Sequence, residues 1–159
     1  MIRITRETDY GIVLMTYLAR ADDQPRSAAT LAQQHQLPLP MVSKILKALA
    51  RVGLLNSQRG AQGGYGLARP AAEISAADII GALEGPIAIT ECSLDTSDGC
   101  CSRQDHCEVS SHWLRINQAI HTALQSISLE EMCRSNPSQT VRFHPSWQVA
   151  TAHITDRSV

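Results

Sequence analysis

The chain has 159 residues, of which 43% are hydrophobic, enough for one compact domain with an appended arm and too few for a large enzyme. No apolar run approaches the roughly 20 residues of a membrane helix, and residues 1–9 lack an apolar signal core, so a soluble cytoplasmic protein with no membrane partner is expected. The net charge of −1 conceals a split: residues 1–70 hold nine Lys and Arg against four Asp and Glu, a net of +5, and the remainder holds five against eleven, a net of −6. A basic half joined to an acidic half predicts a polyanion partner for the first and a different task for the second.

Over residues 8–20, Ile12, Val13, Leu14, Met15, Tyr17 and Leu18 recur at helical spacing, which predicts a mostly buried first helix capped by Thr5 or Thr8. Polar residues and Pro25 make a loop, and Ser27 then opens a short helix to about His35. Pro38 and Pro40 mark residues 36–40 as a tight connection. Along residues 41–52, Val42, Ile45, Leu46 and Leu49 line one face while Ser43, Lys44, Lys47 and Arg51 occupy much of the other; Gly53 is placed to end this helix. The period then changes. Residues 54–58 and 65–68 are short extended runs around a glycine-rich turn, which predicts a hairpin.

Helix, helix, turn, helix, hairpin is the order of a winged helix-turn-helix, so the fold class is mainly α with a small β-hairpin. Residues 73–84 predict another helix, capped at Ser75 with Asp78 at the third helical position. The following stretch holds Pro86 and most of the cysteines, with too little apolar periodicity for a long element. From Ser110, the series Trp113, Ile116, Ile120, Leu124, Ile127 predicts an amphipathic helix to about Ser126, suited to dimerisation. Residues 128–133 form a short last helix. The expected organisation is 1–84 for DNA binding, 85–109 as a cysteine-rich loop, 110–134 for dimerisation, and 135–159 as a disordered tail.

Two constellations carry chemistry. The second helix of a helix-turn-helix enters the major groove, so its exposed side chains must be donors and acceptors of modest size. Ser43, Lys44 and Lys47 meet that need from the start and middle of the helix, and Arg51 lies nearer the phosphates. In the hairpin, Gln58-Arg59-Gly60-Ala61-Gln62-Gly63-Gly64-Tyr65 puts an arginine at a glycine turn, where it can enter a minor groove. A solvated surface helix and an ordinary hairpin would account for either element alone. Their order together with the charge split favours double-stranded operator DNA.

The second constellation is Cys92, Cys100, Cys101 and Cys107 within 16 positions. Five cysteines in a cytoplasmic chain argue for thiols, a metal or a redox site rather than disulfides. Clustered thiolates suit zinc or an iron-sulfur cluster, and the gaps depart from the paired C-x2-4-C knuckles of zinc sites. Three thiolates with a less firmly held fourth ligand would suit a sensing cluster. Cys133 stands apart in a short helix and reads as a small apolar residue.

Three stretches carry a resemblance over residues 1–134: Thr8-Asp9-Tyr10-Gly11, the wing from Arg59 to Tyr65, and the segment from Ile74 through Glu84-Gly85-Pro86 into Cys92. With them the chain resembles the family of winged-helix iron-sulfur regulators that includes IscR, NsrR and SufR-type proteins. The run from Glu84 to Cys92 and the pair His112-Trp113 look most like its SUF-system branch. The resemblance implies cluster ligands at Cys92, Cys101 and Cys107, since family members keep the five-residue gap that separates Cys101 from Cys107. The longer first gap leaves Cys100 as a rival second ligand. The histidine used by IscR-like members falls on Ser110, whereas the aspartate available to NsrR-like members falls on Asp9 and would reach across from a partner subunit. His112 and His106 are further candidates for the fourth ligand, and both [2Fe-2S] and [4Fe-4S] remain open.

The sequence therefore reads as a homodimeric, non-enzymatic transcription regulator that senses an iron-sulfur cluster and represses a SUF or related cluster-assembly operon. Control by nitric oxide or iron is the nearest rival within the family. A thiol-redox or electron-transfer protein, or a zinc-stabilised module, would use the cysteines but leave the basic half and the wing unexplained.

Overall fold

Each expected helix is present, with ends set by local chemistry. The computed structural model describes residues 3–21, 24–60, 63–93 and 107–134, with only the backbone of Cys92. α1 spans Arg6–Arg20, and its cap is Thr5, whose side chain accepts from Thr8 N. That early start leaves Thr8 fully buried inside the first turn. Leu14, Met15 and Leu18 face the core, whereas Val13, expected on the buried side, is 38% exposed. α2, Ala28–His35, is capped by Ser27.

α3 spans Leu39–Arg51 and starts earlier than its periodicity indicates, taking Pro40 into its first turn. Proline is tolerated there because the N–H it lacks would have no intrahelical partner. Val42, Ile45, Leu46 and Leu49 are all fully buried. After the last turn Gly53 adopts φ +77°, a left-handed conformation that glycine reaches without a Cβ clash.

The hairpin pairs β1, Leu55–Gln58, with β2, Gly64–Leu67, in antiparallel register from Leu55 opposite Leu67 to Gln58 opposite Gly64. Arg26, just before α2, extends it: Arg26 N donates to Tyr65 O at 3.0 Å and Tyr65 N donates to Arg26 O at 2.9 Å. A Cβ on Gly64 would lie 2.5 Å from the Arg26 backbone, so this third backbone can approach only a glycine. A 3-10 turn, Ala71–Glu73, leads into α4, Ala76–Glu84, where Ser75 and Asp78 form the expected capping box.

α5, Ser110–Gln125, and α6, Leu129–Cys133, complete the described chain. Ser75 and Ser128 form an isolated bridge, with Ala76 N donating to Ile127 O at 2.8 Å and Leu129 N to Ile74 O at 2.7 Å. α6 then packs on α1. Leu129 is fully buried, joining Leu14, Leu31, Leu46, Ile74 and Ile79 in one core. Cys133 packs against that core with its thiol 3.5 Å from Thr16 O, consistent with a structural residue. No described helix is long and apolar enough to cross a membrane. The expectations for residues 94–106 and 135–159 lie outside the described residues.

Candidate functional site

α2 and α3 are joined by residues 36–38, with Gln36 left-handed at φ 53°, ψ 38°. This short joint presents the outer face of α3. Lys44, Lys47 and Arg51 are exposed there, and Ser43 is half-buried. Lys44 Nζ lies 2.8 Å from Glu7 Oε2 in the first turn of α1. Gln58 and Arg59 are exposed at the tip of β1, and Gly63 N closes the turn on Gly60 O at 2.9 Å. The helix residues and the wing arginine thus belong to one helix-turn-helix-hairpin unit, as the sequence order predicts.

The cysteine segment is mounted on different supports. α4 ends at Gly85, φ +90°, and residues 87–89 then run beside α5, where Asn117 binds both sides of Ala88. Its Nδ2 donates to Ile87 O at 3.1 Å, and its Oδ1 accepts from Ile89 N at 3.2 Å. A 3-10 turn, Glu91–Ser93, follows and packs against α5. Cys92 lies in that turn.

At the other end, Cys107 is a half-buried free thiol just ahead of α5. Ser110 donates its hydroxyl to Cys107 O at 3.0 Å, so at the position of the family histidine this chain has a backbone-binding serine. His112 is exposed on the first turn of α5, and Asp9 is exposed on α1. Among the described residues no three His, Cys, Asp or Glu side chains converge. That set excludes the side chain of Cys92 and all of Cys100, Cys101 and His106.

Sequence reasoning missed three polar residues. Asn117 interrupts the apolar stripe of α5 between Trp113 and Ile120, and a polar side chain on such a stripe is a readable sign of a backbone partner. Glu84 at the end of α4 and Glu7 in α1 have long-range partners and no local signature. Glu84 Oε1 accepts from Thr5 N at 2.8 Å. That backbone bond, with a hydrogen bond from the Thr8 side chain, holds the Glu84 carboxyl below its ordinary range against a smaller opposing effect of burial.

The family model described as an iron-dependent transcriptional regulator, Rrf2, matches residues 4–135. The chain belongs to the Rrf2 family. It is 29% identical over 135 residues to the HTH-type transcriptional regulator IscR of Xenorhabdus nematophila, covering 84% of this chain and 80% of that protein. The structure of CymR, the global cysteine regulator of B. subtilis, superposes with a TM-score of 0.64 at 31% identity, covering 84% of this chain and 97% of that one. T. potens IscR superposes with a TM-score of 0.62 at 32% identity, covering 82% and 85%. This Rrf2 chain is thus a helix-turn-helix regulator of transcription with a winged-helix fold, and not an enzyme.

Proposed function

We propose that this Rrf2 regulator is a cytoplasmic homodimer that senses an iron-sulfur cluster and represses a SUF-type cluster-assembly operon. The observation carrying the sensing role is that both ends of the cysteine segment meet α5: the turn bearing Cys92 packs on it, and Cys107 leads into it. A segment anchored this way reports changes in its interior to α5. The donor set fits the group, since clustered thiolates are the usual ligands of such clusters and the described Cys107 thiol is free. Cys92, Cys101 and Cys107 would hold it, with Cys100 the rival for the second position and Asp9 or His112 supplying the fourth contact. When bound, the cluster would supply a labile cross-link between its ligands, responsive to iron, oxidants or nitric oxide.

The exposed residues of α3 and the wing read DNA. Ser43, Lys44 and Lys47 face base edges in the major groove, Arg51 contacts phosphate, and Gln58 and Arg59 bring the wing to the minor groove. Dimerisation is supported by α5, an amphipathic helix with no fully buried residue in the single chain, whose Trp113, Leu114 and Ile116 are 38%, 50% and 44% exposed. Pairing with a second copy would cover them.

Anaerobic purification followed by gel shifts with and without the cluster tests this reading. A brown dimer whose DNA affinity depends on cluster state is expected. Cys92→Ser, Cys101→Ser and Cys107→Ser should each lose iron and sulfide, while Cys133→Ser keeps them. Loss in Cys100→Ser with retention in Cys101→Ser would reassign the second ligand. A colourless protein that still shifts DNA would overturn the cluster-sensing role while leaving the regulator intact.

A further inference from the structure

Lys44 and Lys47 stand about one helical turn apart on the outer face of α3. Lys47 is exposed with no bonded partner among the described residues, whereas the Lys44 ammonium lies 2.8 Å from Glu7 Oε2. The Lys44 side chain is 70% exposed and that of Glu7 only 29%. The acid is therefore set into the surface, and the lysine reaches across to it. The first turn of α1, which carries Glu7, is held by the Thr5 cap and by Glu84 binding Thr5 N. Glu7 is presented from a pinned turn, and Lys44 is the partner free to leave.

An exposed pair of this kind adds little to fold stability. Its effect on a DNA-facing surface is larger. While paired, Lys44 contributes no net charge to the face, and releasing it to a phosphate re-exposes a carboxylate beside the polyanion. A guanine edge differs, because O6 and N7 offer a lysine two acceptors in fixed positions.

We propose that Glu7 is a specificity-determining residue, which withholds Lys44 from the phosphates of unrelated DNA and yields it to a matching base edge. The proposal rests on the assignment of α3 to the major groove. Glu7 acts by competition for the lysine and does not itself touch the operator.

The test compares two duplexes, one selected by the full-length wild-type protein from a randomised pool and one scrambled from it at equal length and composition. Glu7→Gln should tighten binding to the scrambled duplex by about two- to five-fold and steepen its log-log salt slope by about 0.9. Binding to the selected duplex should tighten less, so the specificity ratio falls. In a Lys44→Ala background the gain should vanish, and in a Lys47→Ala background it should persist. An unchanged ratio overturns the proposal, as does a gain that survives Lys44→Ala, which would mean that Glu7 repels phosphate by itself. If the wild-type protein enriches no sequence, or neither lysine variant alters binding to the selected duplex, the α3 assignment falls and the proposal falls with it.

Discussion

Glu84 is the last residue of α4, and its carboxylate receives the Thr5 N–H from another helix, assisted by the Thr8 side chain. Those donors favour the ionised form and lower its pKa in the folded state. The stabilisation is therefore fully present above the unfolded glutamate value of about 4.3 and is lost as pH falls through the lower folded value. Glu84→Gln should unfold at a lower temperature than wild type at pH 7, with the two curves converging on acidification below pH 4. Thermal melts across that range check it, and a constant gap would assign the effect to shape instead of charge. This contact leaves no mark in the sequence, because its partners lie 79 positions apart and neither end belongs to a periodic pattern.

At the scale of elements, local patterns account for most of the helices. α3 declares its buried face through four apolar residues at helical spacing, and the capping box from Ser75 to Asp78 is a four-residue motif present as expected. The first turn of α3 differs from the expectation because two prolines look like a connection, although a helix accepts one in its first turn. The pairing of Arg26 with Tyr65 is invisible in the sequence because it runs through the backbone and leaves no mark in the side chain. Of the candidate site, the outward placement of Lys44, Lys47, Arg51 and Arg59 is legible from type and spacing, while Glu7, Glu84 and Asn117 depend on the tertiary partners they meet.

Asn117 shows what such a residue contributes to its element. Its two hydrogen bonds hold residues 87–89 on α5, and at about 1 kcal/mol each they are comparable with the local opening energy of a surface segment. Asn117→Leu should leave Ile87 O and Ile89 N without these partners and lower stability by about 1 to 2 kcal/mol. Hydrogen exchange at the Ile89 amide should accelerate more than exchange in α3. Equal acceleration in both places would reduce Asn117 to a general packing residue.

Across the whole molecule, the basic half and the acidic half do not correspond to separate cores. Leu129, from the acidic half, is buried with Leu14 and Leu46 of the basic half, and the backbone bonds around Ser75 and Ser128 join the two. Leu129→Ala should therefore destabilise the helix-turn-helix unit by about 2 to 5 kcal/mol, although it lies far in sequence from α3. Denaturant unfolding should remain one cooperative transition with a lower midpoint. Two transitions, with only the second half shifted, would show that the halves fold apart.

The join between Ile74 and Leu129 also sets an order of events at the ribosome. A nascent chain that has released α1 to α4 still lacks the leucine that completes their core and the strand-like bond that holds the start of α4. Domains fold as their sequences emerge, and here the last core residue emerges only after the whole cysteine segment has been made. A chain whose core is complete therefore already contains the entire cysteine segment, and the helix-turn-helix unit reaches its full stability only after that segment has been made.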